Sequence, residues 1–164
     1  MLVYHGSNCD IGTIDLSKGN RFKDFGQGFY VTPNIETAKR MAQKKTAIYG
    51  GIPMIITYEF DDSVLCSDKL HILEFPERAT AEWISFIDRN RNRRELVGHH
   101  GYDIVKGPIA DDGVAIQLNR LRSHVDSPES IAIDLQDKFL DQQIYFGTTK
   151  ALVYLKKISV CKLK

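Results

Sequence analysis

Apolar residues recur along this chain in two rhythms, and the switches between them outline its elements. Leu2-Val3-Tyr4-His5 reads as a strand, broken by Gly6-Ser7-Asn8. Ile11 to Gly19 carries only scattered apolar anchors and reads as a loop. Phe29-Tyr30-Val31 is a short strand ended by Pro33, with Asn34 as the N-cap of the helix that follows. Ile35, Ala38, Met41, Ala42 and Lys45 fall at spacings of three and four, which predicts a helix to about Tyr49. Gly50-Gly51 stops it.

The second half continues the pattern. Pro53 to Phe60 is a β-branched and aromatic strand, and Leu70 to Phe75 a second one. Thr80 to about Asn90 has helical spacing, with a basic end at Arg89, Arg91, Arg93 and Arg94. Tyr102 to Ala110 is a strand with a Gly107-Pro108 break, followed by a turn at Asp111-Asp112-Gly113 and a short helix from Val114 to about Leu121. Ser127-Pro128 starts a helix expected to reach about Leu140. Gln143 to Phe146 is a strand, Thr149 to Leu155 a short helix, and Ile158 to Leu163 an alternating last strand. With no internal repeat or linker, residues 1–164 read as one mixed α+β domain.

Composition narrows the function classes without choosing one. In 164 residues, 43% hydrophobic and 26% charged, a single core is expected. A formal net charge of +1 gives no global attraction to nucleic acid or membrane. The sequence shows no signal segment and no apolar run of spanning length, so a cytoplasmic, membrane-free protein is expected. Cys9, Cys66 and Cys161 are odd in number and widely spaced, which suits reduced thiols. The histidines, His71, His99, His100 and His124 among them, show no metal spacing, and no metal is expected.

The candidate chemistry gathers at Asp24-Phe25-Gly26-Gln27-Gly28-Phe29-Tyr30-Val31-Thr32, read with Tyr4-His5-Gly6-Ser7 upstream. Glycines at 26 and 28 let the backbone take positive φ and come close to a flat ligand. His5 either donates a hydrogen bond to a ligand hydroxyl or is a partly buried histidine satisfied by backbone. Tyr30 is either a stacking platform or a core tyrosine. The arginine run is either a phosphate-steering patch or a basic helix end. Gln143 alone says nothing.

Together these residues resemble an ADP-ribosyltransferase domain of the diphtheria-toxin-like, His-Tyr-Glu class. The shared marks are Tyr4-His5-Gly6-Ser7 and Gly28-Phe29-Tyr30-Val31-Thr32. A closer resemblance is to a family of small bacterial proteins first catalogued as a domain of unknown function. It adds the marks at Tyr102 to Asp112 and at Gln143 to Leu152.

The resemblance implies a split pair of sheets gripping NAD in the cleft between them. His5, Tyr30 and Gln143 would be catalytic, and His5, Gly6, Ser7, Gly28, Phe29, Tyr30, Thr32 and Met41 would line the NAD site. His5 would bond a ribose hydroxyl, the Gly6 backbone the nicotinamide carboxamide, and Gln143 the 2′-hydroxyl, while Tyr30 would stack on the nicotinamide.

It further implies mono-ADP-ribosylation of a protein or nucleic acid, by a toxin restrained by a separate antitoxin. An NAD glycohydrolase and a catalytically silent NAD- or ADP-ribose-binding module are the alternatives on the same scaffold. Two departures stand out: Gln143 replaces the late-strand glutamate, and Met41 replaces a helix tyrosine. Asp111, Asp112 or Glu59 could supply the missing charge, and a gain in turnover on Gln143→Glu would indicate a site otherwise intact.

Overall fold

The structure, a computed structural model, describes residues 1–93 and 100–164. Arg94 and His99 lie outside the described residues. Among the described residues, seven strands form two sheets, and five α-helices cover them. The first sheet is antiparallel and runs β1 (Leu2–Ser7), β3 (Met54–Phe60), β7 (Leu155–Lys162). The second runs β2 (Phe29–Val31), β6 (Gln142–Phe146), β5 (Ile104–Pro108), β4 (Ile72–Glu74). Only the β4–β5 pair in it is parallel. The helices are α1 (Ile35–Tyr49), α2 (Ala81–Arg91), α3 (Asp112–Arg122), α4 (Pro128–Asp134) and α5 (Thr149–Leu152). This is a mixed α+β architecture.

Strand alternation explains how one sheet serves two cores. Ile144 and Phe146 of β6, with Phe29 and Val31 of β2, join Val3, Ile56 and Phe60 of the first sheet in the core between the sheets. Tyr145 of β6 and Val105 of β5 turn to the other face, where Trp83, Ile84 and Ile87 of α2 and Val114 and Leu118 of α3 pack. Tyr30 and Gln143 sit on this second face by the same alternation.

The backbones of the two sheets are bridged at Tyr4 and Thr32. Tyr4 N–H donates to Thr32 O at 2.8 Å and Thr32 N–H to Tyr4 O at 2.9 Å. Beyond this bridge β1 and β2 diverge, and α1 lies along β1. Asn34 caps α1 by accepting from Glu36 N–H at 3.0 Å, as its sequence position predicts. Gly6 permits the close approach: a Cβ there would run into the Ala38 carbonyl oxygen and reach 2.7 Å from Ala42 N.

Several boundaries differ from the sequence reading. β1 continues through Gly6 and Ser7, because register pairing with Ile55 and Met54 outweighs the glycine. Gly107 and Pro108 stay inside β5, paired with Gln143 and Gln142. Asp111 is the N-cap of α3, accepting from Val114 N–H at 3.0 Å, rather than part of a solvated turn. α4 ends at Asp134, six residues before Leu140, with 3-10-like bonds from Gln136 to Ile133 and Lys138 to Leu135.

Gly6→Ala is expected to lower stability by about 3 kcal/mol, the upper end for overpacking, because the clash is with helix backbone. Urea unfolding followed by circular dichroism measures it.

Candidate functional site

Where the sheets part, a cleft of about 600 Å³ opens between β1 and α1 on one side and β2, β6 and the segment after β5 on the other. His5, Gly6, Tyr30, Thr32, Met41 and Gln143 line it. The topology thus brings together six of the nine positions singled out in the sequence, drawn from four elements.

The remaining three do not line it. Ser7 is buried behind β1, where its Oγ accepts from Cys9 N–H at 3.3 Å. Phe29 is buried beneath His5, stacked on the imidazole with centroids 4.5 Å apart. Gly28 packs its backbone against the Tyr145 ring, leaving no room for a Cβ. Of the two glycines, only Gly26 takes positive φ, at 82°. That turn lets the Gly26 carbonyl accept from the Tyr30 hydroxyl at 2.6 Å, so it anchors a residue of the site rather than a ligand.

The tautomer of His5 follows from its partners. Nδ1 lies 2.6 Å from the Tyr30 carbonyl, which can only accept, so Nδ1 carries the proton. Nε2 lies 3.1 Å from the Lys45 ammonium, which can only donate. Burial, and then the Lys45 charge, push the His5 pKa down to about 3, so the ring stays neutral. The cleft-facing nitrogen is therefore an acceptor, and the donation to a ligand hydroxyl expected from the sequence is reversed in sense.

Lys45 also donates to Gly6 O at 2.7 Å. Tyr4 bonds across to Thr32, so two residues on, by strand alternation, the peptide groups of Gly6 face the same edge. Lys23 Nζ stands 4.8 Å from the Tyr30 ring centroid, a cation–π contact. Burial lowers the Lys23 pKa and pushes that of Lys45 down to about 8, with Lys23 adding to the effect on Lys45. Among the described residues neither lysine forms an ion pair with a carboxylate. The other cations of the cleft are paired: Arg40 with Asp141, Lys44 with Asp112, Arg91 with Asp24.

Gln143 is buried, and its amide is fully directed. Nε2 donates to Asp24 Oδ2 at 2.8 Å and to Pro108 O at 3.0 Å. Two acceptors facing one side-chain end require two N–H groups there, which an amide has and a carboxylate lacks. Asp24 is buried too, and accepts further from Arg91 Nε at 2.7 Å and Ala110 N–H at 3.0 Å. Of the carboxylates considered from sequence, Asp111 is held by Lys138 at 2.8 Å and Asp112 is at the rim, while Glu59 is exposed on β3 and outside the cleft. The carboxylate beside Gln143 is Asp24.

Sequence reasoning thus missed Lys23 and Lys45 as parts of the site, and gave Asp24, at the head of the candidate stretch, and Arg91, in the arginine run, no role beside Gln143. A lysine on the otherwise apolar stripe of α1 was the available sign for Lys45. Met41 stands at the cleft rim and is exposed. The arginine run divides: Arg91 turns inward to Asp24, while Arg93 lies over the Phe22 ring at 5.4 Å. Among the described residues no group of three or more His, Cys, Asp or Glu side chains could hold a metal ion, and no helix is long and apolar enough to cross a membrane.

A family model described as a protein of unknown function, DUF3990, matches residues 1–157. The chain belongs to that family. No curated protein and no solved structure matches it. The match spans β1, β2, β6 and α1, so the whole cleft lies within the family's shared region.

Two outcomes follow from these contacts. The folded state resists protonating His5, so stability is full above pH 6.5 and declines as the pH falls from 6.5 toward 3, by up to about 1.4 kcal/mol per unit. His5→Asn, which can keep a donor to Tyr30 O without titrating, is expected to flatten that slope in urea melts taken across the window. Gln143→Glu places a carboxylate against Asp24 and Pro108 O. It is expected to lose about 1–3 kcal/mol at pH 7 and less near pH 4, where the new acid is protonated.

Proposed function

We propose that this protein is an NAD-dependent mono-ADP-ribosyltransferase that releases nicotinamide and modifies a macromolecule. The observation that carries the reading is the convergence of His5, Gly6, Tyr30 and Gln143 on one cleft where two sheets part. That is the arrangement implied by the resemblance, in which NAD lies between the halves of a split sheet.

The chemistry of the cleft supports it group by group. A nicotinamide ring in NAD is a pyridinium cation bearing a carboxamide, attached to a ribose with two hydroxyls. The Tyr30 face already takes a cation, the Lys23 ammonium. Gly6 O already accepts from an N–H donor, as it would from the carboxamide. His5 Nε2 is a fixed acceptor for a ribose hydroxyl, and Gln143 Oε1 is a second one. Lys23 and Lys45, displaced by the nicotinamide riboside, are the natural partners of the diphosphate.

The reaction breaks the bond between ribose C1 and the nicotinamide nitrogen. The electron pair stays on nitrogen, which leaves as neutral nicotinamide, and positive charge develops on the ribose. An oxygen or nitrogen of the acceptor then bonds to C1 and loses its proton to solvent. Stacking and carboxamide bonds fix the leaving group, while acceptors at the ribose hydroxyls favour the cation. His5 is a binding residue here, since an imidazole held neutral to about pH 3 is too weak a base to take the acceptor's proton. The role of a toxin held by a separate antitoxin rests on the resemblance alone.

The test is transfer of label from adenylate-labelled NAD into a cell extract, resolved by protease and nuclease sensitivity. Label in a discrete protein or nucleic-acid band, reduced at least about 100-fold by Tyr30→Ala or His5→Ala, is the expected result. Nicotinamide release without label would assign a glycohydrolase. Neither release nor label, with wild-type protein folded, would overturn the enzymatic reading.

A further inference from the structure

Asp24 holds together groups from three places in the chain, and one of them is the residue that departs from the glutamate pattern. Its Oδ1 accepts from Arg91 Nε of α2, and its Oδ2 from Ala110 N–H after β5 and from the Gln143 amide of β6. Arg91 also donates to Ala110 O at 2.9 Å, and Asn90 Nδ2 donates to the Asp24 carbonyl at 3.0 Å. The carboxylate is rigidly placed, buried and part of the cleft lining.

The consequence falls on Gln143. With both N–H groups directed at Asp24 and Pro108 O, the one polar function the amide has for a ligand is Oε1. Hydrogen bonding to an anion polarises an amide and strengthens its oxygen as an acceptor. We propose that Asp24 is a positioning residue for nicotinamide–ribose cleavage: through the Gln143 amide it fixes and polarises an acceptor at the ribose, standing in for a late-strand glutamate. The negative charge stands one hydrogen bond behind the Gln143 amide and acts through that neutral group. The inference rests on the NAD reading for its catalytic half, while the orientation of the amide does not.

Asparagine at position 24 has one oxygen where the site uses two. With that oxygen kept on Arg91, its N–H2 meets the Gln143 amide, which must rotate and turn its own N–H2 toward the cleft. The acceptor becomes a donor. Asp24→Asn is therefore expected to lower kcat for nicotinamide release on the order of 100-fold, with the KM for NAD within about threefold. Gln143→Met, which deletes the acceptor and leaves Arg91 and Ala110 on Asp24, is expected to do the same.

The deciding experiment is the double variant. Because Asp24 acts through Gln143, adding Asp24→Asn to Gln143→Met is expected to lower kcat no further. Additive losses, or an Asp24→Asn effect confined to the folded fraction or to KM, would overturn the proposal. Side-chain amide resonances of wild-type protein give a readout that needs neither turnover nor a folded Asp24 variant. Both Gln143 amide protons are expected to be protected from exchange; rapid exchange of both would refute the fixed orientation. If wild-type protein releases no nicotinamide, the proposed function and the catalytic half fall together, and the amide resonances still decide the orientation.

Discussion

A buried carboxylate must be surrounded by donors, and meeting that demand at Asp24 organises much of this molecule. The donors come from α2, from the residue after β5 and from β6, elements far apart in sequence. Each is thereby placed relative to the loop that leads into β2 and Tyr30. Remove the charge and Arg91, half-buried, loses its counterion while Gln143 loses its orientation. The cleft wall opposite β1 is thus an electrostatic construction, with the aromatic packing of Phe25, Tyr30 and Tyr145 behind it.

The opposite wall is set by proximity. β1 and α1 meet at Gly6, where a missing side chain lets helix and strand backbones approach. That approach carries Lys45 over the strand end, within reach of both Gly6 O and His5 Nε2. His5 is in turn fixed by Tyr30 O across the cleft. One imidazole therefore ties the two walls together and holds its second nitrogen as an acceptor. Its neutrality is a product of burial and of the neighbouring ammonium, so the same packing that forms the cleft sets its chemistry.

Local signals were read well wherever short-range physics decides. The 15-residue span of α1, its Asn34 cap and its glycine stop all follow from periodicity and capping. β2 and β6 follow from β-branched and aromatic runs. What failed was decided at long range: β1 runs on through Gly6 and Ser7 because β3 offers partners there, and Pro108 stays in β5 beside Gln142. Of the site, His5, Gly6, Tyr30, Thr32, Met41 and Gln143 were legible through the motifs that carry the resemblance. Ser7, Gly28 and Phe29 belong to the same motifs but serve packing, and no local feature separates the two uses. Asp24 was named at the head of the candidate stretch, but its contact with Gln143 was illegible because that partner lies 119 positions away.

The lysines show why a glutamine is compatible with this site. A late-strand glutamate would add an anion to a cleft whose other anions are neutralised by Arg40, Lys44, Lys138 and Arg91. It would also face Asp24 across 2.8 Å, and two carboxylates at that distance do not both ionise. With Asp24 already fixed by Arg91 and the Ala110 amide, the neighbouring position must donate. Amide chemistry at 143 is therefore a consequence of where the chain has put its carboxylate. Lys23 and Lys45 then remain as the cleft's cations without a carboxylate partner among the described residues, lowered in basicity by burial and placed for an anionic ligand. With the acid on the loop before β2, the cleft presents neutral acceptors at His5 and Gln143 and its unpaired positive charge at the lysines, a separation that suits a ligand with a cationic head and an anionic linker.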